Sequence, residues 1–336
     1  MLTSLRSWLP ISLLLLLSLT ILCAAAWGAF ALYYQLPLPM PWLAAGLLLW
    51  VGLSICALVR AWQTGPLQGV LIYLALHAAL LLWWISITPT NQHQWEDDVA
   101  QMTSGRIEGD HVTLFNVRNF TWRSETDYNP RWETREYDLS KLQSVDMITS
   151  HWGMEAIAHV LVSFGFDDGQ FVTFSVEIRK KKGQQFSEIA GFFKQYELSI
   201  LATDERDAIA VRPNVRGEDT FLYRIDMSKQ IARQLFLSYV EQANQLIEQP
   251  RFYNTITANC TTLVFGMMQH ISGSFPLDSR LLLSGYLPSY VAEQDGLIDG
   301  FDLAQLRSAG RITERSKQAK NNENYSKIIR QGVPGW

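Results

Sequence analysis

The first 90 residues of the chain carry almost no charge. Arg6 and Arg60 are their only charged side chains, whereas the other 26 basic and all 32 acidic residues follow residue 90. A soluble domain needs polar side chains over its surface, so a segment this poor in charge is not an ordinary soluble domain. The N-terminal part is therefore expected to be surrounded by lipid.

Three apolar runs lie within this segment, at residues 9–32, 42–58 and 67–87. Each run is long enough to cross a hydrocarbon core of about 30 Å as a helix, in which every backbone polar group is hydrogen-bonded internally. Proline and glycine residues separate the runs. Residues 1–89 are therefore predicted to form a membrane anchor of three transmembrane helices.

The two arginines predict the orientation of the anchor. Arg6 precedes the first run and Arg60 follows the second, and basic residues favour the cytoplasmic side. The third helix then exits, which leaves residues 90–336 on the outer side. The alanines at 24–26 also fit a cleaved signal peptide, but two further apolar runs without an intervening soluble stretch favour an uncleaved anchor.

The remainder of the chain is predicted to be an α+β domain at 90–310 followed by a loose polar tail at 311–336. Residues 90–106 have the composition of an irregular exit from the membrane. Alternating or short apolar runs predict strands of a central antiparallel sheet at 111–123, 144–150, 157–166, 171–179 and 219–225. Apolar residues three and four apart predict helices at 186–196, 228–248 and 260–270.

Charge and composition narrow the class of function. The part after residue 90 is net acidic, which argues against binding to nucleic acid. It contains no Cys/His set with metal-ligand spacing and no glycine-rich phosphate loop, so no metal and no cofactor is expected. Arg212 and Arg216 fit phosphate binding or, equally, ion pairs with the nearby acidic residues Asp204, Glu205 and Asp207.

Cys260 is the one cysteine outside the apolar runs, since Cys23 and Cys56 lie within them. In an oxidising compartment a single thiol is buried and inert or is used. The loop-like stretch before Cys260 and the apolar helical run after it suggest that the thiol lies at a helix N-terminus. There the helix dipole lowers the pKa of a thiol.

A thiolate nucleophile requires a histidine base that a polar side chain orients. Asp167, Asp168 and Gly169 predict a tight hairpin between two strands. His159 lies eight residues before this turn and Glu177 eight residues after it. Cross-strand pairing is therefore expected to place the two side chains together. Taken singly, a core histidine and a solvated glutamate explain these residues equally well.

Five blocks of the sequence resemble the Lnb N-terminal periplasmic domain family. They are NVRNFTWRS (116–124), HWGMEAIAHVLVSFGFDDG (151–169), SVEIRK (175–180), DERD (204–207) and YNTITANCTT (253–262). The resemblance implies a circularly permuted papain-like (NlpC-type) domain. In that fold a strand histidine comes first, a polar strand residue second and an Asn-Cys motif last, which here selects His159, Glu177 and Cys260.

The same resemblance implies an acyltransferase in the periplasm, held by a multi-pass anchor in a bacterial inner membrane. Cys260 takes an acyl chain from a membrane phospholipid as a thioester and passes it to an amine, such as the N-terminus of a lipoprotein. A cysteine hydrolase acting on cell-wall peptide or lipid ester, and a non-catalytic binding module, are the alternatives. Substrate or oxyanion contacts are expected from Asn259, Tyr253, His151 and Trp152.

Overall fold

The computed structural model describes residues 11–63, 66–273 and 275–336. The chain divides into two compact units. The first unit comprises Met1–Pro89 with Ile189–Gln195, and the second comprises Thr90–Glu188 with Tyr196–Trp336. Arg6, which supports the predicted orientation, and Gly65 lie outside the described residues.

The first unit contains three long apolar helices, and this prediction is confirmed. The helices are α1 (Ile11–Gln35), α2 (Met40–Gln63) and α3 (Pro66–Ser86). All three are long and apolar enough to cross a membrane, with mean hydropathy between 1.9 and 2.3. Close approach of α2 and α3 requires a glycine at position 69. A Cβ atom there would lie 2.6 Å from the carbonyl oxygen of Ala57 and 2.5 Å from the amide nitrogen of Ala61.

Residues 189–195 form part of the first unit although they lie far from the three helices in sequence. The Phe193 ring stacks on Phe30 and Tyr34 with ring centroids 5.5 Å apart in both cases. Lys194 Nζ donates to the carbonyl oxygens of Trp84 at 2.6 Å and Ile87 at 3.1 Å. The helix predicted at 186–196 is wrong, since the segment holds only a 3₁₀ turn at Ala190–Phe192. Lys194 has φ of 53°, which no right-handed helix can include.

The second unit is built on an eight-stranded sheet in the order β1-β2-β9-β8-β7-β6-β10, with β5 also paired to β2. Its strands are β1 (Ser104–Glu108), β2 (His111–Arg118), β5 (Trp132–Asp138), β6 (Leu142–His151), β7 (Ala158–Phe166), β8 (Phe171–Arg179), β9 (Glu197–Thr203) and β10 (Asp219–Arg224). A separate pair consists of β3 (Thr121–Trp122) and β4 (Tyr128–Asn129). The unit also contains α4 (Glu205–Ala208), α5 (Lys229–Glu248), α6 (Thr262–Ser272), α7 (Leu287–Glu293), α8 (Leu303–Gly310), α9 (Thr313–Gln318) and α10 (Tyr325–Ile329).

The combination of this sheet with helices confirms the α+β class. The sheet was predicted to be antiparallel and is mixed. All neighbouring strands are antiparallel except β2 and β9, which meet in parallel at Arg118 and Thr203. Strand β1 begins inside the segment 90–106 that was predicted to be irregular. This strand is half exposed to exposed along its length, so it lacks the alternating apolar pattern that reveals a strand in a sequence.

Each face of the sheet packs against its own helices. Along β7, Val160, Val162 and Phe164 point into the larger core, where α5 contributes Phe236 and Tyr239. Leu161 lies between them in sequence and points to the opposite face. This alternation follows from the pleat of a strand.

The C-terminal segment 311–336 covers the opposite face of the sheet, so the prediction of a loose tail is wrong. Ile312, Tyr325 and Ile329 are fully buried in the smaller core. Arg330 is also fully buried, and its Nε lies 2.8 Å from Asp146 while its Nη2 lies 2.6 Å from Glu205. The segment is polar in composition because most of its polar residues face solvent, while its one buried charge, Arg330, pairs with two buried carboxylates.

Replacement of Arg330 with methionine should strongly destabilise the second unit. The change leaves Asp146 and Glu205 buried without their cation, which typically costs about 3–5 kcal/mol. For a domain of this size we expect a drop of roughly 10 °C in the thermal unfolding midpoint of the full-length protein in detergent. Lys317→Ala, which breaks an exposed ion pair with Glu314, is the control and should leave the midpoint within about 2 °C. Equal midpoints for the two variants would contradict this account.

Candidate thiol active site

His159 and Glu177 lie side by side at the end of the hairpin formed by β7 and β8, as the sequence predicts. The ladder pairs Leu161 with Ser175 and Gly165 with Phe171, and the same register continued by two residues sets His159 opposite Glu177. His159 Nε2 lies 3.2 Å from Glu177 Oε1. Both side chains are largely buried, with 14% and 22% of their surfaces exposed.

Ser175 joins the imidazole to the carboxylate. Its hydroxyl oxygen lies 2.7 Å from His159 Nε2, and the hydroxyl donates to Glu177 Oε1 at 2.6 Å. A carboxylate only accepts hydrogen bonds, so the single proton of Ser175 goes to Glu177 and its oxygen accepts from the Nε2–H of His159. This arrangement leaves Nδ1 of His159 as the nitrogen available to a thiol proton.

The Cys260 thiol lies within hydrogen-bonding reach of the His159 side chain. Burial by itself raises the pKa of the Cys260 thiol, but the hydrogen bond and the charge of His159, with the backbone N–H of Val160, lower it below its usual value. Burial likewise lowers the pKa of His159, and the Glu177 charge overcomes this effect and raises it to about 9. The two shifts favour a thiolate–imidazolium pair at neutral pH.

A buried arginine lies behind the carboxylate. Arg212 is 5% exposed, and its Nη2 lies 3.6 Å from Glu177 Oε1 while its Nη1 donates to Glu218 at 3.2 Å. Burial raises the pKa of Glu177, whereas the charges of His159 and Arg212 lower it well below the usual value. Glu177 is thus held as an anion. Arg212 thus pairs with Glu177 and Glu218, and Arg216 lies 3.9 Å from Glu218, so the ion-pair partners differ from the predicted Asp204, Glu205 and Asp207.

The Asn259 side chain holds the turn that leads into the helix after Cys260, and its contact with substrate stays a prediction. Its Oδ1 accepts from the backbone N–H groups of Thr261 at 2.9 Å and Thr262 at 2.8 Å, and its Nδ2 donates to Thr255. Helix α6 begins at Thr262, two residues after the thiol. The N–H groups expected to hold an oxyanion at the helix start are therefore occupied by the Asn259 side chain.

The three other residues predicted to contact substrate, Tyr253, His151 and Trp152, lie in different surroundings. Tyr253 is half buried near the thiol, and burial together with the charge of Cys260 raises its pKa. Both ring nitrogens of His151 have hydrogen-bond partners close in sequence, since Nδ1 lies 3.2 Å from the Glu155 carbonyl oxygen and Nε2 lies 3.2 Å from Thr149 Oγ1. Trp152 is exposed in the loop that leads back to His159.

The site has the groups of a covalent catalyst and no ligand set for a metal. In the described part of the chain, no three His, Cys, Asp or Glu side chains are grouped as metal ligands.

Ser175 and Arg212 are the residues whose place in the site the sequence did not predict. Ser175 shares a strand face with Glu177 because it lies two residues before it, so its position was detectable. The contact of Arg212 depends on the tertiary structure alone.

Comparison with known proteins gives one match. Residues 128–288 match the family model of the Lnb N-terminal periplasmic domain, which confirms the resemblance and includes His159, Glu177 and Cys260. No curated protein and no solved structure is significantly similar to the chain. Together with the three apolar helices, the match identifies a membrane protein with a periplasmic domain.

The pH dependence of Cys260 alkylation should reveal its partnership with His159. In full-length protein with Cys23 and Cys56 replaced by serine, iodoacetamide should still modify Cys260 quickly at pH 7, because the thiol pKa is lowered. The rate should fall only as the pH drops through that lowered pKa. In His159→Gln the burial effect remains without the imidazolium, so the reaction should shift to higher pH. Mass spectrometry measures the rate at each pH.

His151→Gln is the matched control, since His151 is a buried histidine on the neighbouring strand that hydrogen-bonds to Thr149 and Glu155. Its alkylation profile should equal that of the parent protein. An identical profile for His159→Gln would show that the imidazole does not activate the thiol.

Proposed function

We propose that this chain, whose residues 128–288 belong to the Lnb N-terminal periplasmic domain family, is a membrane-anchored cysteine acyltransferase. The observation that carries the proposal is the arrangement of His159, Ser175 and Glu177, with the Cys260 thiol within reach of the imidazole. The order of these residues along the chain fits a circularly permuted papain-like domain. A multi-pass anchor in the bacterial inner membrane gives such a thiol phospholipid as its nearest abundant ester.

The first step transfers an acyl group from a phospholipid to Cys260. The thiolate sulfur attacks the ester carbonyl carbon, and the bond from that carbon to the glycerol oxygen breaks as the thioester forms. The imidazolium of His159 gives its Nδ1 proton to the departing alkoxide, which leaves as a lysophospholipid. The backbone N–H of Cys260 is the donor that we propose for the oxyanion.

The second step transfers the acyl group to an amine. The amine nitrogen attacks the thioester carbonyl, the carbon–sulfur bond breaks and the thiolate returns. His159, now neutral, takes the proton that the amine loses. The charges of His159 and Arg212 lower the pKa of Glu177, and Arg212 keeps its charge while His159 is neutral, so Glu177 stays anionic and stabilises the charged form of His159. The N-terminus of a lipoprotein is the acceptor we propose.

Intact-mass analysis of the full-length protein in phospholipid nanodiscs tests the covalent intermediate. The wild type should gain the mass of one acyl chain and lose it when a lipopeptide with a free N-terminus is added, whereas Cys260→Ser should gain none. Adducts on both proteins would place the acyl group elsewhere in the chain. Lysophospholipid with free fatty acid and no acylated amine would indicate a hydrolase, and no lipid turnover would favour a peptidase or a binding module.

Replacement of Ser175 with alanine should slow acyl transfer without abolishing it. The change removes a hydrogen bond to a charged group, worth about 1.5–3 kcal/mol, while the direct contact of 3.2 Å between His159 and Glu177 remains. We expect turnover to fall by about 10- to 100-fold, measured as lysophospholipid release.

Ser199→Ala is the matched control for Ser175→Ala. Ser199 lies opposite Glu177 on β9, and its buried hydroxyl has no hydrogen-bond partner in the described chain. Its loss should change the rate by less than about 2-fold, because no hydrogen bond is removed. Equal rates for the two variants would exclude the role given to Ser175.

A further inference from the structure

The thiol site lies at one end of the sheet. Strand β6 ends at His151 and β7 begins at Ala158, while β8 ends at Arg179 and β9 begins at Glu197. Because these strands are antiparallel neighbours, all four limits fall at the same end. His159 and Glu177 are each within two residues of it. The loops at 152–157 and 180–196 therefore leave the sheet beside the catalytic side chains.

Large apolar side chains are exposed on the segments around this end. Met154 lies in the first loop and Phe186 in the second, and both are more than half exposed. Ile256 precedes Cys260 by four residues and is 47% exposed. The segment 277–286 adds Leu277, which is 84% exposed, with Leu282 and Leu283. The turns at the other end, at 109–110 and 167–170, contain no large apolar residue.

Hydrogen bonds hold these segments to each other and to the site. The backbone N–H of Gly285 donates to Ala156 at 2.9 Å, and that of Ala158 donates to Ser284 Oγ at 3.0 Å. The hydroxyl of Thr261, next to the thiol, donates to the carbonyl oxygen of Leu281. On the other side, Thr255 Oγ1 donates to the carbonyl oxygen of Glu188 at 3.2 Å. Met154, Phe186, Ile256, Leu277, Leu282 and Leu283 thus belong to a connected surface, named here the apolar rim.

The hydrophobic helices of the chain indicate that a lipid bilayer covers the apolar rim. Three residues separate the last hydrophobic helix, which ends at Ser86, from the start of the second unit at Thr90. The backbone of Trp95 then forms an isolated antiparallel bridge with that of Lys181, so the chain enters this unit at the end of the sheet where β8 ends. Exposed apolar patches are unfavourable in water at about 25 cal/mol for each Å² and commonly mark interaction sites.

We infer that the apolar rim inserts into the outer surface of the bilayer, so that a phospholipid acyl chain passes from the membrane to Cys260 without crossing water. The identity of the substrate rests on the proposed function, whereas contact of the apolar rim with lipid does not. Insertion of Leu282 and Leu283 transfers their side chains from water to the interfacial region and turns the end of the sheet that carries the thiol toward the lipid.

Depth measurement by spin labelling tests the contact without requiring catalysis. A nitroxide is placed at Met154→Cys or Leu283→Cys in full-length protein that carries Cys23→Ser, Cys56→Ser and Cys260→Ser, reconstituted in phospholipid nanodiscs. Both labels should be more accessible to oxygen, which concentrates in lipid, than to a water-soluble nickel chelate. A label at Asp168→Cys, in the turn at the other end of the sheet, should show the reverse. Rim labels that behave like the Asp168 label would overturn the inference.

A comparison of two substrates tests the effect of the apolar rim on access to the thiol. Leu282→Asp combined with Leu283→Asp should lower acyl transfer from bilayer phospholipid by at least about 10-fold and leave reaction with a short-chain, water-soluble ester unchanged. The control, Phe301→Asp, changes an exposed aromatic residue close to Ile298, which bonds to Arg224 at the other end of the sheet, and should affect neither substrate.

The two experiments separate the failure of the apolar rim from the failure of the proposed function. Full activity of the double variant on bilayer lipid would overturn the route of entry. Inactivity of the wild type on both esters would instead refute the acyltransferase, and the spin-label depths would then decide the membrane contact alone.

Discussion

The pairing register of β7 and β8 is the constraint on which the thiol site depends. Side chains alternate between the two faces of a strand, so a slip of one residue would move His159 and Glu177 to opposite faces. The tight turn at 167–169 and the apolar alternation of both strands specify the register, because Val160, Val162 and Phe164 must all reach the larger core. The catalytic geometry is thus a consequence of the same burial that stabilises the sheet.

Buried arginines organise the remainder of the second unit. Arg118 makes a two-pronged contact with Asp207, at 2.9 and 3.1 Å, and Arg330 joins Asp146 to Glu205. Loss of either partner of such a pair would leave a buried charge uncompensated, which is strongly destabilising. At the thiol site the charge of Arg212, together with that of His159, lowers the pKa of Glu177 and keeps this carboxylate ionised.

The thiol pKa reflects a balance between burial and its neighbours. Burial disfavours the thiolate, and a helix N-terminus was expected to offset this effect. The first N–H groups of α6 are instead taken by Asn259, so the imidazole of His159 provides the main compensation. A polar residue next to a cysteine in sequence can therefore hold the surrounding backbone in place.

The sequence by itself determined the three hydrophobic helices, the hairpin and the meeting of His159 with Glu177, because each depends on local composition or on short-range pairing. Tertiary structure decided what distant segments do to one another. It converted the polar segment 311–336 into a packed cover, placed Arg212 behind Glu177 and moved residues 189–195 into the helical unit. The physical reason is that a charged residue in a sequence is expected to face water. Only the fold shows whether a partner of opposite charge has replaced that water.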